Sequence, residues 1–207
     1  MRETFEFDFR FGHGIIENMA TSTLTRPKAR RLWTYDEMVA ELPETNLPTE
    51  LWDGEIVMSP TPTPSHQKVV FRLARLLEDF VKVKQAGTVL VSPLDVVLSP
   101  HRVVQPDLFF ISKARSDIIQ DRIRGVPELA VEVISQGTRK RDRVEKKALY
   151  EQFGISEFWI VDPESRLIEV FALVKGAYQL HSKAADTAPA KSRLLSGFKV
   201  SFDELLA

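Results

Sequence analysis

The sequence predicts an α/β fold in which a central mixed β-sheet is flanked by helices, and three features predict it. Val69, Val70, Leu73, Leu76, Leu77, Phe80 and Val81 recur at three- and four-residue steps, the period of a long helix with one buried face. Leu129-Ala130-Val131-Glu132-Val133-Ile134 is an apolar run around a single carboxylate, the composition of a central strand covered on both faces. Arg139 to Phe153 reads as a helix closed by Gly154, followed by a second buried strand at Phe158-Trp159-Ile160-Val161. The resulting core order is helix, three strands, helix, strand, in a chain of 207 residues that suffices for one domain.

The remaining elements follow in order. Thr34 with Glu37 three residues later forms a capping box before Met38, Val39 and Leu42, predicting a helix from Tyr35 to Leu42 that stops at Pro43. Asp53-Gly54 between apolar segments predicts a tight hairpin. Pro60, Pro62 and Pro64 exclude regular structure up to Ser65, the expected N-cap of the long helix. Gly87 ends that helical region, and strands are expected at Val89–Leu98 and Val103–Ile111, around Ser99-Pro100-His101. Lys113–Arg124 has helical potential. Further strands are expected at Leu167–Val174 and Ala177–His181, then a surface loop over Asp186–Ser192 and a short final segment, Phe198–Leu206. Residues 1–31 are expected to be a flexible N-terminal extension and 32–207 a single domain. Met19, followed by Ala-Thr-Ser-Thr and a basic patch, reads as the native start.

Composition narrows the classes. Hydrophobic residues at 43% and charged residues at 28% fit neither a disordered nor a membrane chain, and no apolar run is long enough to span a bilayer. The absence of cysteine excludes disulfides, thiolate ligands and a cysteine nucleophile. With no signal-peptide pattern at the start, a cytoplasmic location is the expectation. A net charge of −1 argues at first against nucleic acid. Lys113 to Lys147, however, carries ten Lys+Arg against six Asp+Glu, leaving 18 against 23 elsewhere. A basic segment therefore surrounds Glu132.

Four features carry chemistry. Alternation puts Gln105, Asp107 and Phe109 on one face of a strand that Pro106 bends or leaves at an edge. Glu132 lies between valines, and a buried carboxylate costs several kcal/mol, roughly, unless it is paired, hydrogen-bonded or bound to a cation. Two such acids facing each other suit a hard divalent metal. Asp142, Lys146 and Tyr150 share one helix face at steps of four, and His66 sits over the apolar side of the long helix near its start. Singly, each has a plainer reading: a turn dipeptide, an ion pair with arginine, a solvated helix pair, a capping histidine.

Together the order Pro-Asp, then Glu on the next strand, then a nearby lysine resembles the PD-(D/E)xK nuclease superfamily. Glu50-Leu51-Trp52-Asp53-Gly54-Glu55, Met58-Ser59-Pro60, His66, Gln105-Pro106-Asp107, Glu132-Val133-Ile134-Ser135, Asp142, Lys146, Tyr150 and Gly154-Ile155-Ser156-Glu157-Phe158-Trp159-Ile160-Val161-Asp162 resemble the Uma-two family of restriction-endonuclease-like proteins, over about residues 32 to 175. The resemblance implies a restriction-endonuclease-like core with an added N-terminal helix and hairpin. It implies Asp107, Glu132 and Lys146 as the catalytic set. Asp107, Glu132 and the Val133 main-chain carbonyl would hold Mg²⁺ or Mn²⁺, and the reaction would be phosphodiester hydrolysis, in DNA. His66, Glu50, Glu55, Asp142 and Tyr150 are further candidates. The position two after Glu132 is Ile134, so Lys146 would stand in as a migrated lysine that polarises phosphate or water. A homodimer is the family expectation.

A nuclease-like fold does not by itself secure activity. The alternative is a catalytically weak or inactive module that binds nucleic acid or forms a structural dimer. A sugar hydrolase would also use two carboxylates but gives Lys146 no task.

Overall fold

A computed structural model of the chain describes residues 31–43, 48–135, 137–185 and 188–206. The expected N-terminal extension and the Met19 start therefore lie outside the described residues, Arg31 excepted. Among the described residues no helix is long and apolar enough to cross a membrane.

In chain order the elements are α1 (Tyr35–Glu41), β1 (Thr49–Trp52), β2 (Glu55–Met58), α2 (Pro64–Lys84), β3 (Gly87–Val91), β4 (Val96–Ser99), β5 (Arg102–Val104), β6 (Leu108–Ser112), a 3₁₀ turn (Lys113–Ile118), β7 (Ile123–Arg124) and β8 (Leu129–Val133). A π-helical turn (Arg141–Lys146) then runs into α3 (Lys147–Phe153), followed by β9 (Glu157–Asp162), β10 (Leu167–Val174), β11 (Ala177–Ala185), β12 (Ala190–Lys191), β13 (Lys199–Val200) and α4 (Phe202–Leu206). The main sheet has the order β11-β10-β9-β8-β6-β3, with β8 and β9 parallel and the other pairs antiparallel. A second sheet, β2-β1-β5-β4-β7, carries the hairpin. The core α2, β3, β6, β8, α3, β9 reproduces the expected helix, three strands, helix, strand.

Alternation along β8 divides the two faces of the main sheet. Leu129, Val131 and Val133 pack with Val69, Leu73, Leu77 and Val81 of α2, which explains the helical period of those residues. Ala130 and Ile134 pack on the other face with Leu149 and Tyr150 of α3. Glu132 shares that second face by the same alternation.

Three expectations are corrected. The strands expected at Val89–Leu98 and Val103–Ile111 are each two strands: β3 and β6 belong to the main sheet, β4 and β5 to the second. Pro93 and Pro106 lie at the breaks, and a residue without an N–H cannot continue a ladder there. The N-cap of α2 is Thr63, whose hydroxyl accepts from the His66 N–H at 3.3 Å, with Pro64 in the first turn where its missing donor costs nothing. Lys113–Arg124 forms only the 3₁₀ turn and β7. Elsewhere the capping box at Thr34 and Glu37 forms, and Asp53 and Gly54 both take positive φ, as a two-residue hairpin turn requires.

The helix carrying Lys146 is pinned to the sheet by Asp162, at the end of β9. Its carboxylate, 1% exposed, accepts from Arg139 at 2.8 Å, Arg143 at 3.1 Å and the Ser165 hydroxyl at 3.0 Å. Burial would raise its pKa, but the Ser165 N–H at 3.2 Å together with these donors outweighs burial and holds it below the usual value of 3.8. Such a group stabilises the fold above its unfolded pKa and loses that contribution as pH falls through the folded one. Asp162→Asn is therefore expected to cost about 1–2 kcal/mol near neutral pH, discounted for the partly exposed arginines. Urea denaturation should show the difference shrinking as the pH falls through the depressed pKa.

Candidate active site

Glu50 of β1, His66 of α2, Asp107 ahead of β6, Glu132 of β8, and Asp142 and Lys146 of the π turn line one cleft. The sheet register brings the two central acids together. Leu108 pairs with Val131 and Phe109 with Ala130, so one more antiparallel step sets Asp107 against Glu132 on the face toward α3. Oδ2 of Asp107 accepts the Val133 N–H at 2.8 Å and lies 3.1 Å from Nε2 of His66. An extended residue turns its N–H and C=O to the same edge, so the Val133 carbonyl leaves β8 on the Asp107 side.

Glu132 is 3% exposed and is held through one oxygen. Its Oε1 accepts from the Lys146 ammonium at 2.9 Å and from the Tyr150 hydroxyl at 2.6 Å. Lys146 also meets Oε1 of Glu50 at 3.0 Å, and that oxygen accepts the Gln105 N–H at 2.9 Å. The Trp52 indole N–H donates to the other Glu50 oxygen at 3.0 Å. β1 pairs with β5 at Leu51 and Val103, so the hairpin delivers Glu50 to the segment that ends in Asp107. Among the described residues no hydrogen-bond donor reaches Oδ1 of Asp107 or Oε2 of Glu132.

The chain matches, over residues 35–203, the model of the Uma2 family, described as "Putative restriction endonuclease". It belongs to the Uma2 family. No curated protein matches it. A solved structure that resembles it is the crystal structure of "a putative nuclease belonging to DUF820" from Anabaena variabilis. The similarity has a TM-score of 0.69 at 19% identity and covers 83% of this chain and 96% of that one, which shows a shared fold.

The electrostatics of this Uma2 cleft are those of crowded acids around one ammonium. Burial pushes the Glu132 pKa well above its ordinary value, opposed by Lys146 and reinforced by Asp107, Asp142 and Glu50. Asp142 is raised in the same way, burial outweighing Lys146. Burial works against the Lys146 charge, yet the surrounding carboxylates outweigh it and raise its pKa, so the side chain stays an ammonium. The Tyr150 hydroxyl keeps its proton because burial and Glu132 both disfavour a phenolate. Burial pulls His66 down, but the hydrogen bond and charge of Asp107 leave it above its usual 6.5.

The π turn deserves its place in this geometry. It holds Asp142 and Lys146 buried on the cleft side before α3 presents Tyr150, and π turns recur at functional sites. Two sequence candidates do not line the cleft: Tyr150 lies behind it and reaches it through its hydrogen bond to Glu132, and Glu55 lies opposite Trp52 at the turn end of the hairpin, away from the rung that carries Glu50. Ser59 enters the sequence reading only within the Met58-Ser59-Pro60 motif, and Thr138 and Arg141 not as site residues at all; the three line the cleft from the loop after β2 and from the segment that leads into and opens the π turn. Arg141 was visible only as one of many charges.

Lys146→Met would leave Glu50 and Glu132 buried together without a counter-charge, an expected loss of about 3–5 kcal/mol. Tyr150→Phe removes one hydroxyl donor and is expected to cost about 1–3 kcal/mol. Urea denaturation of both variants against the parent should give that order.

Proposed function

We propose that this Uma2 protein is a divalent-metal-dependent endonuclease that hydrolyses phosphodiester bonds in DNA. The observation that carries the reading is the meeting of Asp107 and Glu132, each fixed through one oxygen, in a cleft that also holds the Lys146 ammonium. Family membership supports a nuclease, and the family's description as a restriction endonuclease supports DNA.

The donor set fits a hard cation. Oδ1 of Asp107, Oε2 of Glu132 and the Val133 carbonyl are oxygen ligands of the kind Mg²⁺ or Mn²⁺ takes. Among the described residues no cluster of three or more His, Asp or Glu side chains is arranged to hold an ion. Mg²⁺ keeps several waters and is usually held by one or two carboxylates and substrate phosphates, so a pair of carboxylates is enough for it. When bound, the cation would supply a Lewis acid for phosphoryl oxygens and a more acidic water.

The protein's own groups then have distinct tasks. Lys146 and Tyr150 orient Glu132, and His66 and the Val133 N–H orient Asp107. An ammonium has three donors, and Lys146 donates one to Glu132 while pairing by charge with Glu50, which leaves donor capacity for a phosphate oxygen or the attacking water. Glu50 positions Lys146. Two copies acting as a dimer would reach both strands of a duplex.

Cleavage of labelled DNA in Mg²⁺ by the parent, Asp107→Ala and Glu132→Ala tests the assignment. We expect a loss of about a hundredfold or more in each variant, since each removes a cation ligand. Equal rates in all three would remove these residues from the chemistry. No cleavage in any would leave the nuclease-fold module without activity on DNA.

Proton competition gives a second check. A protonated Glu132 cannot coordinate, and its raised pKa means that Mg²⁺ binding must displace a proton over a range above that of an ordinary glutamate. Calorimetric titration should show tighter Mg²⁺ binding at about pH 8 than at about pH 6, with proton release at the lower pH.

A further inference from the structure

The cations around Glu132 are mostly neutralised within the protein. Arg139 pairs with Asp162 and Glu164, Arg143 with Asp162 and Glu169, and Lys140 with Glu145. Lys146 lies between Glu132 and Glu50, and the Lys147 ammonium sits 3.7 Å from the centre of the Phe171 ring. Arg141 differs. Among the described residues no carboxylate lies within ion-pair distance of it, and its guanidinium donates one hydrogen bond, to the neutral Ser59 hydroxyl at 2.7 Å. Its Nε is buried without an acceptor.

The other buried side-chain atoms without a partner among the described residues are Nδ1 of His66 and Oε1 of Gln105, and both residues line the cleft that Arg141 lines. Unsatisfied buried polar atoms are rare in folded proteins, and their confinement to one cleft marks it as a place where a polar ligand completes the bonding. The cleft also has a charge problem for the proposed reaction. Glu50, Asp107, Glu132 and Asp142 confront an incoming phosphodiester, the proposed divalent cation would answer Asp107 and Glu132, and the Lys146 ammonium is already shared between Glu132 and Glu50. A guanidinium is always charged, presents a planar fork of donors and matches phosphate geometry.

We infer that Arg141 is a substrate-binding residue that grips a backbone phosphate of the nucleic acid at the rim of the cleft, with Ser59 setting the direction of its fork. This rests on the proposed nuclease function and assigns the anion contact to Arg141, leaving the acids and Lys146 to the scissile centre. The contact is charge-assisted and independent of base identity, because phosphates position a duplex without specifying its sequence.

The test is binding of labelled DNA in Mg²⁺ across a salt series, in a Glu132→Gln background that stops turnover and keeps the side-chain shape. Arg141→Met is expected to weaken binding about tenfold and to reduce the slope of log K against log[salt] by about one, the signature of one lost phosphate contact. Arg141→Lys should keep the slope and recover part of the affinity. Ser59→Ala should leave the slope unchanged. A slope in Arg141→Met equal to that of the parent background, or a Ser59→Ala variant that reproduces the Arg141→Met loss in slope, would overturn the assignment while leaving the nuclease reading intact. No DNA binding by the parent background would overturn both. Thermal melting of each variant separates a binding loss from unfolding.

Discussion

The Lys146 ammonium sits between Glu132 and Glu50 in a pocket almost closed to water, and the arrangement of the cleft depends on that contact. Two buried carboxylates this close would repel and take up protons; one ammonium between them lets both approach. Through it, three parts of the chain are tied together: the hairpin strand β1, the central strand β8 and the π turn ahead of α3. Tyr150 adds a second donor to the same Glu132 oxygen and fixes which oxygen is left for the cleft.

Around that centre the fold supplies position at two levels. The antiparallel register of β6 and β8 sets Asp107 beside Glu132 with main-chain accuracy, and the Val133 N–H locks the Asp107 carboxylate in place. At the far end of the parallel strand β9, Asp162 collects Arg139 and Arg143 and so holds the lysine-bearing helix against the sheet. A site built on strands and a pinned helix holds its groups more closely than one built on loops. The cost is borne in desolvated charge, which is why the acids of the cleft have raised pKa values while Asp162, served by donors on several sides, has a lowered one.

Much of this was legible in the sequence because the signals were local. The three- and four-residue steps from Val69 to Val81, the capping box at Thr34 and the Asp53-Gly54 turn are properties of neighbouring residues, and each formed as the pattern required. The candidates Asp107, Glu132, Lys146, His66, Glu50 and Asp142 were singled out as charges in apolar surroundings or by motif, and the fold gathers all of them in one cleft. The strand boundaries were less legible. Apolar runs through Pro93 and Pro106 look continuous to any periodicity count, whereas the chain uses each break to change sheets.

Charge shows most clearly where the sequence stops. The sequence alone determined the fold class, the order of its core elements and the presence of a basic segment around Glu132. It could not determine which of those cations are available, because Arg139 and Arg143 find their partners at Asp162, Glu164 and Glu169, and Lys146 finds one at Glu50, far off in the chain. Only the tertiary structure decided that, since ion pairs form through space and at a few ångströms. It pairs Arg122, Arg124, Arg139, Lys140, Arg143 and Lys146 with carboxylates, and of the two cations that line the cleft it leaves Arg141 with only a hydroxyl for company.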